Sequence, residues 1–183
     1  MNDIEGSVPA GIGIRPSEPA DTAAIERLYQ AAFPDEDLVS LVQSLLDAVD
    51  VALSLVATVD GTVTGHVIFT RSEVAGSGAA AALLGPLAVA PAQQRRGIGR
   101  TLVEAGFERL GAGDTALVLV LGDPAYYGRL GFAAERGITP PYPLPPEWEG
   151  AWQSRRPGNG TSVPTTGELR VPRQWQQPAL WLP

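Results

Sequence analysis

The sequence predicts an α/β protein in which a mixed sheet carries helices on its faces. Three observations lead there. Two segments of helical periodicity, within residues 15–33 and 36–48, come first. Two runs of period two then flank Asp60-Gly61. Beyond them, nearly continuous apolar runs at Leu83–Ala90 and Thr115–Gly122 each lead into a segment of helical character. Strands of that texture are covered on both faces, and their alternation with helices builds a layered α/β sheet.

Taken in order, residues 1–12 read as a loose leader. In "RPSEPADTAAIERLYQAAF", Asp21 is a candidate N-cap, and Ile25, Leu28, Tyr29 and Ala32 recur at helical spacing. Pro34 ends that helix. A second, from about Glu36 to Ala48, places Leu38, Leu41, Val42, Leu45 and Leu46 on one face. Asp60-Gly61 between strand-like runs is a hairpin signal, because a type I′ turn needs positive φ. Pro86 inside "LLGPLAVA" cannot donate to a ladder, so that strand should bulge or part from a neighbour there. "GIGRTLVEAGFERLG" is a third helix, closed by Gly111 and Gly113. Asp123-Pro124, an N-cap followed by proline, opens a short fourth helix. Gly131 stops it, and Phe132 begins a further strand. After Gly137 the chain is rich in Pro, Gly and Trp. It reads as a tail with one short helix near Glu147–Trp152 and an extended piece at Gly167–Val171.

Composition removes several classes of function. The chain has 183 residues, enough to bury a core without staples. It has no cysteine, so disulfides, thiolate metal sites and a cysteine nucleophile are excluded. A single histidine rules out a histidine-rich metal site, and no metal is expected. A net charge of −7 argues against nucleic acid as a partner. No apolar run reaches the ~18 residues that span a bilayer, and the acidic N-terminus lacks a signal-peptide pattern. These features point to a cytoplasmic protein with no membrane partner. Every positive charge is an arginine.

The informative stretch is "PLAVAPAQQRRGIGRTLVEAG". A buried strand runs into a loop with arginines and glycines, then straight into a helix. Helix N-termini present unpaired N–H groups and a positive dipole end. Glycines let a ligand approach the backbone, so the segment suits phosphate or pyrophosphate. Arg95, Arg96 and Arg100 add charge. A P-loop would need a lysine, which the chain lacks. A dinucleotide fingerprint would need glycine where Leu102 stands.

"QRRGIG" (Gln94–Gly99) matches the Gln/Arg-x-x-Gly-x-Gly/Ala signature of the GNAT superfamily of N-acetyltransferases, after a strand and before a helix. "YYGRLGF" (Tyr126–Phe132) resembles that superfamily's Tyr-x-x-x-Gly-Phe element. More narrowly, "GHVIFT", "LGPLAV", "GDPAYYGRLGF" and the Pro/Trp-rich tail are similar to the YhbS-type acetyltransferases. The resemblance implies a mostly antiparallel central sheet, about four flanking helices and a splay at Leu83–Val89. It divides the chain into a leader (1–12), the acetyltransferase domain (13–137) and a tail (138–183) wrapping that domain.

By the same resemblance, acetyl-CoA is the co-substrate. Leu87, Ala88 and Val89 would offer backbone groups to its pantetheine arm. Gln94, Arg95, Arg96, Gly97, Ile98, Gly99 and Arg100 would hold its pyrophosphate. Tyr127 matches the tyrosine that donates to the departing thiolate. A phenol, with reference pKa about 10, keeps its proton at neutral pH and can donate it. The expected activity is transfer of an acetyl group to a small-molecule or peptide primary amine by direct attack in a ternary complex. A homodimer is admitted. Some members of the superfamily carry a glutamate on the strand before the phosphate loop, and Leu83–Val89 has no acid. The base is then sought at Glu36 or Asp37, at Glu73, or at His66. The other reading is a non-catalytic acyl-CoA-binding sensor on the same fold.

Overall fold

Asp60 and Gly61 both take positive φ, 49° and 76°, as a two-residue type I′ turn requires. They join two strands of a computed structural model that describes residues 11–48, 52–158 and 166–181. The order of elements begins one strand earlier than the sequence suggested. Strand β1 is Ile12–Pro16 and takes in Ile12, the last residue of the expected leader; residues 1–10 lie outside the described residues. Helices α1 (Thr22–Ala32) and α2 (Val39–Leu46) follow. Then come β2 (Ala52–Val59), β3 (Thr62–Val74) and β4 (Ala79–Val89). Helix α3 spans Ile98–Gly111, β5 Leu117–Leu121 and α4 Pro124–Tyr127. The remaining strands are β6 (Ala133–Ala134), β7 (Ile138–Thr139), β8 (Trp152–Arg155) and β9 (Gly167–Arg170).

The chain divides into two units, and β2, β3, β4 and α3 contribute to both. The first holds residues 11–48, Leu53–Ile68 and Pro86–Gly106 among those described. In it β1 pairs antiparallel with β2, from Ile12 opposite Val59 to Pro16 opposite Leu55. Its core gathers Ile25, Tyr29, Val42, Leu45, Leu55, Ile98 and Leu102. The periodicity seen in the sequence thus does put one face of each of α1 and α2 inside. Asp21 stands at the expected N-cap of α1, but its carboxylate caps nothing there. It takes two hydrogen bonds from the Arg15 guanidinium, at 2.6 and 2.8 Å, and one from the Glu18 N–H. A bidentate guanidinium is a stronger partner than one helical N–H.

The second unit holds Phe69–Gly85 and residues from Phe107 onward. Here β4 and β5 pair in parallel, Ala81 with Leu117 through Leu83 with Leu119. β5 pairs antiparallel with β8, and β8 with β6. On another edge β9 pairs antiparallel with β3 and parallel with β7. The sheet is therefore mixed and mostly antiparallel. The parallel ladder of β4 stops at Leu83, although β5 continues to Leu121. Where the sequence suggested a helix ending at Trp152, a 3-10 segment over Pro146–Ala151 gives way to β8 at that tryptophan. Trp152 is buried and donates its indole N–H to the Ile138 carbonyl at 2.7 Å, while Trp148 is half-buried. Trp175 and Trp181 stack edge to face beside it.

Candidate active site

Gly85 has a φ of 135°, a conformation favourable only to glycine, and Pro86 follows without an N–H. The pair is the irregularity that Pro86 foretold. Past it, Pro86 and Ala88 are buried, and Leu87 and Val89 are half-buried. The Ala90 N–H still donates to the Thr64 carbonyl of β3 at 2.8 Å.

A 3-10 turn, Pro91–Gln93, leads to the arginine loop. Arg95 and Gly97 both lie in the left-handed region, at φ 59° and 80°. Alternating handedness turns successive N–H groups to one side and makes a concave anion nest. A non-glycine residue held there costs of order 1–3 kcal/mol, and such strain concentrates at ligand clamps. The Gly97 carbonyl accepts from the Thr101 N–H at 2.9 Å. The N–H groups of Ile98, Gly99 and Arg100 thus open α3 without intrahelical acceptors, at the positive end of its dipole. Gln94 donates to the Val89 carbonyl at 3.1 Å, tying loop to strand, and Arg96 donates to Gln93 at 2.9 Å. Arg95 and Arg100 are exposed. The Ile98 side chain is buried, so only its main chain faces a ligand. Gly65 of β3 lets α3 come close, since a Cβ there would meet Ile98 Cγ2 and Leu102 Cδ1 at 2.9 Å each.

His66 is fully buried in the first unit. Its Nδ1 lies 3.0 Å from Tyr29 Oη and its Nε2 2.7 Å from Ser54 Oγ. Ser17 donates to Ser54 at 2.6 Å, and Tyr29 donates to the Pro86 carbonyl at 3.0 Å. Burial lowers the His66 pKa to about 3, against a smaller opposing pull from the Asp21 charge, so the ring is neutral.

Tyr127 belongs to the second unit. The Asp123 carboxylate accepts from the Ala125 N–H at 2.8 Å and starts α4. Gly131, at φ 80°, turns the chain after the following 3-10 turn. The Tyr127 ring packs edge to face on Tyr126 and Phe132, at 5.0 and 5.6 Å. Burial, and then the neighbouring Tyr126, push its pKa above the ordinary phenol value. Among the described residues its hydroxyl has no hydrogen-bond partner.

Glu36 is exposed in the turn between α1 and α2, where its N–H donates to the Phe33 carbonyl. Asp37 accepts from Ser40, and Glu73 pairs with Arg170 across β3 and β9. The first unit brings Leu87–Val89, Gln94–Arg100 and His66 together in one body; Glu36 lies in the same unit. Sequence reasoning gave no part in the site to Ser17, Ser54 or Tyr29, the last being read only as a residue on the apolar face of the first helix. A serine within an apolar strand beside a lone histidine was the available signal.

Residues 50–134 match the acetyltransferase (GNAT) domain. The chain is 36% identical over 143 residues to the uncharacterized N-acetyltransferase YjhQ of Escherichia coli K12, covering 74% of this chain and 79% of that protein. It is 37% identical over 120 residues to the uncharacterized N-acetyltransferase YhbS of the same strain, covering 65% and 72%. The crystal structure of E. coli YhbS with CoA superposes with a TM-score of 0.80 at 31% identity, over 92% of this chain and 94% of that one. A GNAT family acetyltransferase from Brucella melitensis, solved with acetyl-CoA, gives 0.73 at 29% identity over 92% and 100%. The chain belongs to the GNAT family of acetyltransferases.

Proposed function

We propose that the protein moves an acetyl group from acetyl-CoA to a primary amine by direct attack in a ternary complex. The observation that carries this reading is the Arg95–Gly97 nest opening α3 directly behind the irregular end of β4. Its alternating backbone, exposed guanidinium groups and first-turn N–H groups fit a pyrophosphate. Gln94 through Arg100 would hold that group, and the main chain of Leu87, Ala88 and Val89 would align the pantetheine arm. Acetyl-CoA supplies the acetyl group as a thioester.

The amine must first lose a proton, because an alkyl ammonium titrates near the lysine value of about 10.4. Glu36, exposed and in the first unit, is the proposed acceptor of that proton. His66 is the second named group, but both of its ring nitrogens are already engaged by hydroxyl groups. The N–C bond then forms as the C–S bond breaks. The Val89 N–H polarises the carbonyl, Tyr127 Oη donates its proton toward the departing sulfur, and the second proton lost by the acylated nitrogen restores the phenol. Burial keeps that phenol neutral throughout the working pH range. The net charge of −7 favours a cationic acceptor.

Titration calorimetry with acetyl-CoA, CoA, ATP and NAD tests the first half. Binding of the CoA pair alone supports the nest; equal binding of ATP or NAD overturns it. Thiol release across an amine panel tests the second half. CoA binding without turnover of any amine would leave an acyl-CoA sensor as the function.

A further inference from the structure

The Pro86 carbonyl is buried at the point where β4 becomes irregular, and a buried carbonyl without a partner costs about 1–3 kcal/mol. Its partner comes from outside the ladder, the Tyr29 hydroxyl of α1 at 3.0 Å. Tyr29 has one proton to give. If that proton goes to Pro86, Tyr29 Oη must accept from His66, which makes Nδ1 the protonated nitrogen. Neutral His66 then has Nε2 as an acceptor, and Ser54 supplies the proton. Ser54 in turn accepts from Ser17. One directional chain results: Ser17, Ser54, His66, Tyr29, Pro86. Reversing it would leave the carbonyl unpaired, since a carbonyl can only accept.

We infer that Tyr29 and His66 are positioning residues, which fix the backbone at Pro86 so that Leu87–Val89 meets acyl-CoA correctly. This rests on the reading of Leu87–Val89 as the pantetheine strand. Tyr29 donates one residue before that strand, and Gly85, at φ 135°, leaves the backbone there free to take other angles. A link from α1 through a buried ring removes that freedom. Bonds in such a chain reinforce one another and select a single arrangement.

The test uses the full chain and CoA as the probe. Tyr29→Phe removes only the hydroxyl. Its CoA affinity should fall about tenfold, the loss expected of one buried hydrogen bond, with KM for acetyl-CoA rising in step and KM for the amine unchanged. Nitrogen NMR of the single histidine should find the proton on Nδ1. The His66 signals should move when CoA binds to the natural protein and stay still in Tyr29→Phe. Should that variant not fold, Ser54→Ala takes its place, removing the donor to Nε2, and Ser54→Thr should restore affinity. Unchanged CoA affinity in Tyr29→Phe or Ser54→Ala, or a proton on Nε2, overturns the inference while leaving the acetyltransferase reading intact. Failure of the natural protein to bind CoA overturns both.

Discussion

The Tyr127 ring fills the space that a side chain at Gly122 would need, so closely that a Cβ there would collide with ring carbon Cε2. Glycine at the end of β5 therefore sets where the phenol lies. Replacing Tyr127 by Phe keeps that packing and removes only the hydroxyl. Steady-state assays should show turnover reduced roughly 10²-fold with KM for acetyl-CoA little changed. A matching loss of both would make the ring structural.

Gly122→Ala tests the same relationship from the other side. The added methyl must displace the ring, at a cost of about 1–3 kcal/mol for overpacking. Thermal unfolding should show a lower Tm, and turnover should fall although the hydroxyl is present. Combined with Tyr127→Phe, the loss in turnover should be less than the product of the two single losses, because both act on one group.

Gly97→Val strikes the nest. A β-branched residue at φ 80° is strained, and its side chain would enter the space proposed for the pyrophosphate. Calorimetry should find CoA binding abolished while circular dichroism keeps its helical signal. Binding at the natural affinity would sink the assignment of the loop.

Gly65→Ala tests how α3 is seated. Its Cβ would meet Ile98 and Leu102 at 2.9 Å, so helix and strand must separate. Urea unfolding should record a loss of about 1–3 kcal/mol. Because Ile98 starts the helix that carries the nest, CoA affinity should weaken with it.

His66 gives a pH signature. Burial lowers it to about 3, whereas the unfolded chain takes up the proton near 6.5. Between those values the unfolded state binds more protons, so stability is lost as pH falls. Arg15 holds Asp21 below its ordinary value. Glu135 is also lowered, against an opposing burial effect, by the Ser154 hydroxyl and backbone N–H groups. The stability from those two carboxylates is lost only at lower pH. Between about pH 6.5 and 5 the natural protein should lose ~1.5 kcal/mol by linkage, and His66→Gln should flatten that slope. An unchanged slope in the variant would place the titration elsewhere.

Much of this architecture was legible in the chain because its signals are local. Asp60-Gly61 makes its turn from two residues, Asp123 caps α4 from two positions away, and the nest lies within a few residues of α3. What escaped depends on distant partners. β1 is short, and its pairing with β2 joins residues about forty positions apart, from Pro16 to Leu55 at the closest. Asp21 looked like a cap until Arg15 turned back onto it. Trp152 carried a helical spacing from Trp148, yet its pairing with Leu121 makes it a strand residue. The chain from Ser17 to Pro86 draws one residue from each of five separate segments, so no motif could announce it.

The exposed cations of the nest, Arg95, Arg96 and Arg100, have a chemical consequence of their own. A protein that holds an activated acyl donor beside its own surface risks modifying itself wherever a nucleophilic amine is within reach. Guanidinium groups stay protonated at any working pH and are poor nucleophiles, and the chain has no lysine at all. The chain thus offers no side-chain amine to an acyl donor. After long incubation with acetyl-CoA, intact-mass spectrometry should find at most one added acetyl, on the terminal α-amine.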